Sequence, residues 1–304
     1  GQWNGVTNSL PIRTGGDVNN ILFYNKSLFD EAGLDRNRPP ETWSDLLDYA
    51  EKLVRYEGEQ LVRNPVNAPS TGGGSFGHLA WLYTGGGKYL TDDARRVAFN
   101  SPEAIETIEF ILDFESSVYR GEPPRWNLET NRANFLNGSL AMWIEATWEY
   151  SWIVGNRPDL ELGVGVRPTK TGSEPTGIHL GTWTYGISIG TEVPNEAWEL
   201  LKWLTVRPES AGAFMLRQGR ASPIVAVNES EAFRAAVPWA DVLGRALSTA
   251  AFAPVLPIDG DVRGVFDRFW GRAVRGEEPA VSAMEEAARL AQAELDRFWA
   301  RFEN

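Results

Sequence analysis

The chain has 304 residues, 42% of them hydrophobic and 23% charged, a globular composition with room for about two domains. Its net charge of -12 argues against nucleic acid as a partner, because affinity for phosphates rests on Lys and Arg releasing counterions. The absence of cysteine excludes disulfides, thiolate metal sites and cysteine nucleophiles, and no run of about 18 apolar residues is present to span a membrane.

Residues 21 to 24, ILFY, form an apolar run of strand length. Ser27 with Asp30 three residues on fits a capping box, and Gly33 suits the left-handed position that ends the helix it would start. Pro39 and Pro40 forbid helix until Thr42 and Asp45 open a second box. Leu46, Leu47, Ala50, Leu53 and Val54 then make one buried stripe. The composition of 64 to 77, NPVNAPSTGGGSFG, predicts a loop, and HLAWLYTGGGKYL predicts a short helix stopped by glycines. Ser101 and Pro102 open a long helix carrying Ile105, Ile108, Ile111, Leu112 and Val118. A short helix near 129 to 136 stops at Asn137 and Gly138, LAMWI at 140 to 144 reads as a buried strand, and TWEYSWIV begins another helix. LELGVGVRP and the alternating TWTYGISIG at 182 to 190 are predicted strands, and the text after Pro194 is helical almost to the end. Single strands alternating with helices give an α/β class with a helix-rich C-terminal third.

The run GGSFG at 73 to 77 satisfies G-x-S-x-G with Ser75 as nucleophile, but a nucleophile elbow needs a hydrophobic strand leading into it, and NPVNAPST is not one. His78 and His179 stand far apart without carboxylates at ligand spacing, so no metal and no cofactor is expected. GGGK at 85 to 88 lacks the spacing of a phosphate loop. Paired carboxylates for glycoside hydrolysis stay open, since sequence does not show which two acids would face each other.

The 13 tryptophans are the compositional excess. Most indoles bury in cores, yet a flat apolar ring also suits the axial C–H groups of a sugar whose hydroxyls find polar partners at the rim. WEYSW at 148 to 152 and TWTY at 182 to 185 place aromatics beside hydroxyls or a carboxylate at predicted strand ends. They suggest a carbohydrate shelf, with Trp148 and Trp183 as stacking faces and Glu145 and Tyr185 as hydroxyl partners. A charged acceptor makes the stronger hydrogen bond, which favours Glu145.

Taken in order, LP at 10 and 11, LFYNKSLFDEAGL, PPETWSDLL, FLNGSLAMWIEATW, GTWTYGISI, EAWELLKWLT and SPIVA after Gly219 resemble the family 1 extracellular solute-binding proteins, the maltose-binding-protein-like group that serves ABC sugar importers. The resemblance implies a type II periplasmic-binding-protein-like α/β fold with one complete lobe plus part of a second. Residues 1–180 and 238–304 would form the second lobe, and 181–237 would belong to an incomplete first lobe, leaving Leu200, Leu201 and Leu204 without cover. Tyr24, Asn25, Lys26 and Trp43 become scaffold. Trp148 matches the family's binding tryptophan after the AM strand, Trp183 becomes a cleft residue, and by position Asp17, Phe76, His78 and Arg263 also line the cleft.

The function so implied is non-catalytic sugar binding outside the cytoplasm, in the periplasm or at the cell surface. A sugar, an ABC permease and a separate chain supplying the rest of the first lobe are the expected partners; no leader or lipid anchor is expected in the chain. A serine or glycoside hydrolase is the alternative, and a protein-docking module built on the uncovered helices is a third reading.

Overall fold

A computed structural model gives the fold and describes residues 2–3, 6–7, 9–12, 21–70, 74–179 and 183–302. The chain begins with β1 (Gln2–Trp3), β2 (Val6–Thr7), β3 (Leu10–Pro11) and β4 (Ile21–Asn25), followed by α1 (Lys26–Glu31), α2 (Trp43–Leu53), β5 (Arg55–Glu57) and β6 (Gln60–Val66). It continues through α3 (Gly74–Thr84), α4 (Pro102–Val118), α5 (Leu128–Asn137), β7 (Leu140–Glu145), α6 (Glu149–Asn156) and β8 (Leu162–Val166). Next come β9 (Ile178–His179), β10 (Thr184–Tyr185), α7 (Pro194–Val206), a π-helical turn (Pro208–Gly212), α8 (Ala213–Gln218), α9 (Val225–Asn228) and α10 (Glu231–Ala236). The last elements are α11 (Ala240–Thr249), β11 (Ala251–Phe252), α12 (Asp259–Val274) and α13 (Ala280–Trp299). No helix among the described residues is long and apolar enough to cross a membrane.

The body is built on one sheet of order β5-β6-β7-β4-β8. β4 lies between β7 and β8 and is antiparallel to both, with Ile21 opposite Glu145 on one side and Val166 on the other. Every residue of β4 and β7 is buried, and this explains why ILFY and LAMWI read as unbroken apolar runs rather than as alternation. Successive side chains still point to opposite faces. Leu22 and Tyr24 join a core with α2, α3, α4, α12 and α13, whereas Ile21, Phe23 and Trp143 join a second core with α5, α6, α10 and α11.

The Thr42 box forms as expected: Thr42 Oγ1 accepts from the Asp45 amide, and Asp45 Oδ2 accepts from the Thr42 amide, both at 3.1 Å. The Ser27 box does not form. Asn25, at the extended end of β4, caps α1 instead, its Oδ1 accepting from the Ser27 and Leu28 amides at 3.0 and 3.3 Å. Ser27 Oγ donates to Glu161 at 2.8 Å. An asparagine two residues earlier reaches the same orphan amides, so α1 starts at Lys26.

The loop expected from Asn64 begins later, because 64 to 66 belong to β6, which forms a hairpin with β5 and runs parallel to β7 through Val66 opposite Met142. Pro65 is tolerated there because the pairing with β5 reaches only to Arg63, so the missing N–H forfeits no ladder bond. The strand expected over 182 to 190 shrinks to Thr184 and Tyr185, paired with Pro11 and Leu10. Ile187 and Ile189 lie exposed beyond it, and no strand among the described residues pairs with them. Of the three leucines expected to be uncovered on α7, Leu200 is exposed, Leu204 is half-buried and Leu201 is buried. Ala221, Phe233 and Val237 are buried in the second core.

Candidate binding site

β7 ends at Glu145, and the chain turns through two buried residues to Trp148, which stands at the start of α6. Against that turn lies the end of α8. Gly219 takes φ +64°, its amide donates to Leu216 O, and the Arg220 amide donates to Met215 O, the paired bonds of a Schellman motif that glycine makes possible. A side chain at Gly219 would meet Ser151 Oγ at 2.9 Å, so the bare backbone also lets α8 dock on α6. Arg220 then sets its guanidinium over the Trp148 ring, 4.7 Å from the centroid.

Trp148, Ser151, Trp183, Arg217, Gln218 and Arg220 line a hollow of about 430 Å³. It brings together the two tryptophans singled out from the sequence, although they are 35 positions apart in the chain, and it rims them with guanidinium, amide and hydroxyl groups. Trp183 is 63% exposed, a high value for an indole. Tyr185 is exposed on β10 and does not line this hollow.

Glu145 lies beneath the turn and not on the hollow's lining. It is 6% exposed, and its Oε1 accepts from the Ala146 amide at 3.1 Å. Burial pushes its carboxyl up to about 7, against the pull of the Ala146 amide's hydrogen bond and of the Trp126 indole nearby. Arg167, just beyond β8, is its buried counter-charge. Burial pushes that guanidinium down to about 9, opposed by the Glu145 carboxylate, and it lies 4.4 Å from the centre of the Trp81 ring. One turn further on, the fully buried Glu149 carboxylate accepts two bonds from Arg132 at 2.9 and 2.8 Å. The Trp148 turn therefore rests on a layer of charged groups, of which Glu145, Glu149 and Arg167 are buried and Arg132 pairs with Glu149.

A second, larger hollow of about 960 Å³ opens near Trp126, with His78, Glu115, Tyr119, Arg120 and Arg275 also in its wall. His78 Nδ1 is 3.4 Å from Asp267 Oδ1. Glu115 accepts from the amide and hydroxyl of Ser70 at 2.8 and 2.7 Å, while burial raises its carboxyl. Trp126 thus belongs to this wall and to the Glu145 layer at once. Sequence reasoning passed over it, because it favoured aromatics directly after strands; its only signal is an indole in the PPRW loop just before the Asn127 cap of α5.

Arg263 lines neither hollow. It pairs with Asp259 at 2.7 Å on α12, in a row that continues one turn on to Asp267. Phe76 falls within α3, but its side chain, like Asp17 as a whole, lies outside the described residues. His179 Nε2 donates to Leu247 O at 2.8 Å, and the ring stacks on Phe252. No group of residues suited to a metal ion occurs among the described residues. The hydrolase alternative gains no support, since β6 ends at Val66, well before Ser75, and no strand among the described residues leads into that serine.

The model of the bacterial extracellular solute-binding protein family matches residues 8–208. A probable ABC transporter-binding protein of Deinococcus radiodurans is 23% identical over 192 residues, 61% of this chain and 44% of its own length. The maltotriose-binding protein of Pyrococcus abyssi is 25% identical over 197 residues, 62% of this chain and 38% of its own. The chain thus spans about two-fifths of the length of these curated relatives. An ABC transporter solute-binding protein of Thermotoga lettingae, solved with alpha-D-tagatose bound, superposes with a TM-score of 0.80 at 24% identity, covering 97% of this chain and 74% of that one. Likeness of that kind shows the fold, which is the type II periplasmic-binding-protein architecture.

Proposed function

The chain belongs to the bacterial extracellular solute-binding proteins, and from that premise we propose that its solute is a sugar, held without catalysis and delivered to an ABC importer. The observation that carries this reading is the hollow in which Trp148 and Trp183 share a wall with Ser151, Gln218 and Arg217. Indole faces suit the C–H side of a pyranose, while an amide, a hydroxyl and a guanidinium serve its hydroxyls. The named ligands of the relatives, maltotriose and tagatose, belong to the same class. Residues 181–237 would form part of one lobe and the remainder the other, so that the sugar lies between them; a permease is the partner and the periplasm or cell surface the place. His78 and Trp126, in the wider hollow, would extend the same surface toward a longer saccharide.

Calorimetric titration with maltose, maltotriose and D-tagatose tests the reading. The expected result is saturable binding of at least one of them, abolished in Trp148→Ala, with each sugar recovered unaltered. Absence of heat with all three up to millimolar concentration, or turnover of a chromogenic ester that Ser75→Ala removes, would overturn it.

A further inference from the structure

Arg220 is marked by no motif, yet the fold spends several features on it. Only 6% of the residue is exposed, and a buried guanidinium needs compensating contacts. The Schellman turn at Gly219 sets the direction in which its backbone leaves α8, and the close approach of Gly219 to Ser151 brings that turn onto α6. Its Nη1 donates to Gln218 Oε1 at 3.3 Å, which steadies the fork beside the Trp148 ring. A cation over an indole is held by the negative face of the ring and restricts how the ring turns.

We propose that Arg220 is a positioning residue of the sugar site: its guanidinium lies against the Trp148 ring in the wall of the hollow both residues line, and holds the indole in its binding orientation before ligand arrives. The inference rests on the sugar reading above. Preorganisation of this kind raises affinity by removing the cost of ordering a side chain on binding. It also ties the chain around α8 to the turn after β7, so that a sugar touching Trp148 is felt by both.

The test combines affinity with a spectroscopic signature. Protein labelled with 5-fluorotryptophan gives a fluorine resonance for Trp148, identified as the one lost in Trp148→Phe. In sugar-free protein, Arg220→Ala is expected to move or broaden that resonance selectively and to weaken binding of maltotriose, maltose or tagatose by about tenfold. Arg220→Lys, which keeps a cation over the ring, restores the resonance in part and the affinity to within about threefold. Unchanged far-ultraviolet circular dichroism in both variants verifies folding, and if Arg220→Ala does not fold, the lysine variant and Arg220→Gln carry the comparison. An unmoved Trp148 resonance overturns the proposal, as does a moved resonance with unchanged affinity. If the wild type binds none of the sugars while the resonance still responds to Arg220, the sugar reading is what has failed, and the positioning role falls with it.

Discussion

Glu145 is buried beneath the turn that carries Trp148 and does not line the hollow beside that indole. Its carboxyl is raised from an ordinary 4.5 to about 7, first by burial, in a place where Arg167 is its counter-charge. The folded state therefore holds the Glu145 proton more tightly than the unfolded chain does. In the window from about 4.5 to 7 the unfolded state binds fewer protons, so the stability owed to this group falls as pH rises and levels off above 7. Glu145→Gln removes that titration. Urea midpoints measured from pH 5 to 8 are expected to fall with pH in the wild type relative to the glutamine variant, and parallel profiles would contradict the assignment. Arg132 and Glu149 face the same turn but form their own bidentate pair, so the glutamine exchange leaves them in place. From the sequence, Glu145 is assigned to the ligand because a charged acceptor makes the stronger hydrogen bond to a sugar hydroxyl. What the sequence lacked was the sheet order: β7 is an interior strand covered on both faces.

At the scale of elements, legibility followed how local the cause was. β4 and β7 were readable because full burial leaves a continuous apolar run, and α2 and α4 because caps and stripes are written within a few residues of each other. β6 was not, since its asparagine and proline argue for a loop and its pairing with β7 comes from 76 positions away, as between Asn64 and Leu140. The start of α1 is the finer case, because two competent caps stand within one turn. The geometry predicts that Asn25→Ala costs about 1 kcal/mol of stability. Ser27→Ala should cost well under half as much, because it loses only an exposed bond to Glu161. Denaturant unfolding of the two variants measures the difference, and the reverse order would restore the serine as cap.

At the scale of the whole molecule, the candidate site exists only through contacts that sequence spacing does not encode. Trp148 and Trp183 could each be picked from their strand-end positions, but Arg220 and Trp126 enter through the docking of α8 on α6 and of the 120 to 126 loop on the Glu145 layer. The hollow therefore joins regions that fold around different neighbours. Ala221, Phe233 and Val237 bury against the sheet, while Trp198, Leu200, Trp203 and Val206 of α7 stay exposed. A solute that binds only when these regions are assembled stabilises the native chain by mass action. At a sugar concentration about a hundred times the dissociation constant, this amounts to about 2.7 kcal/mol. Thermal unfolding with and without the tightest-binding sugar is thus expected to show a midpoint that climbs with the logarithm of its concentration. Trp148→Ala should unfold at a midpoint the sugar no longer moves, because the shared wall is gone while the sheet beneath it remains. A sugar-dependent shift of equal size in that variant would place the binding surface elsewhere, with the wider hollow beside Trp126 and His78 the next to probe.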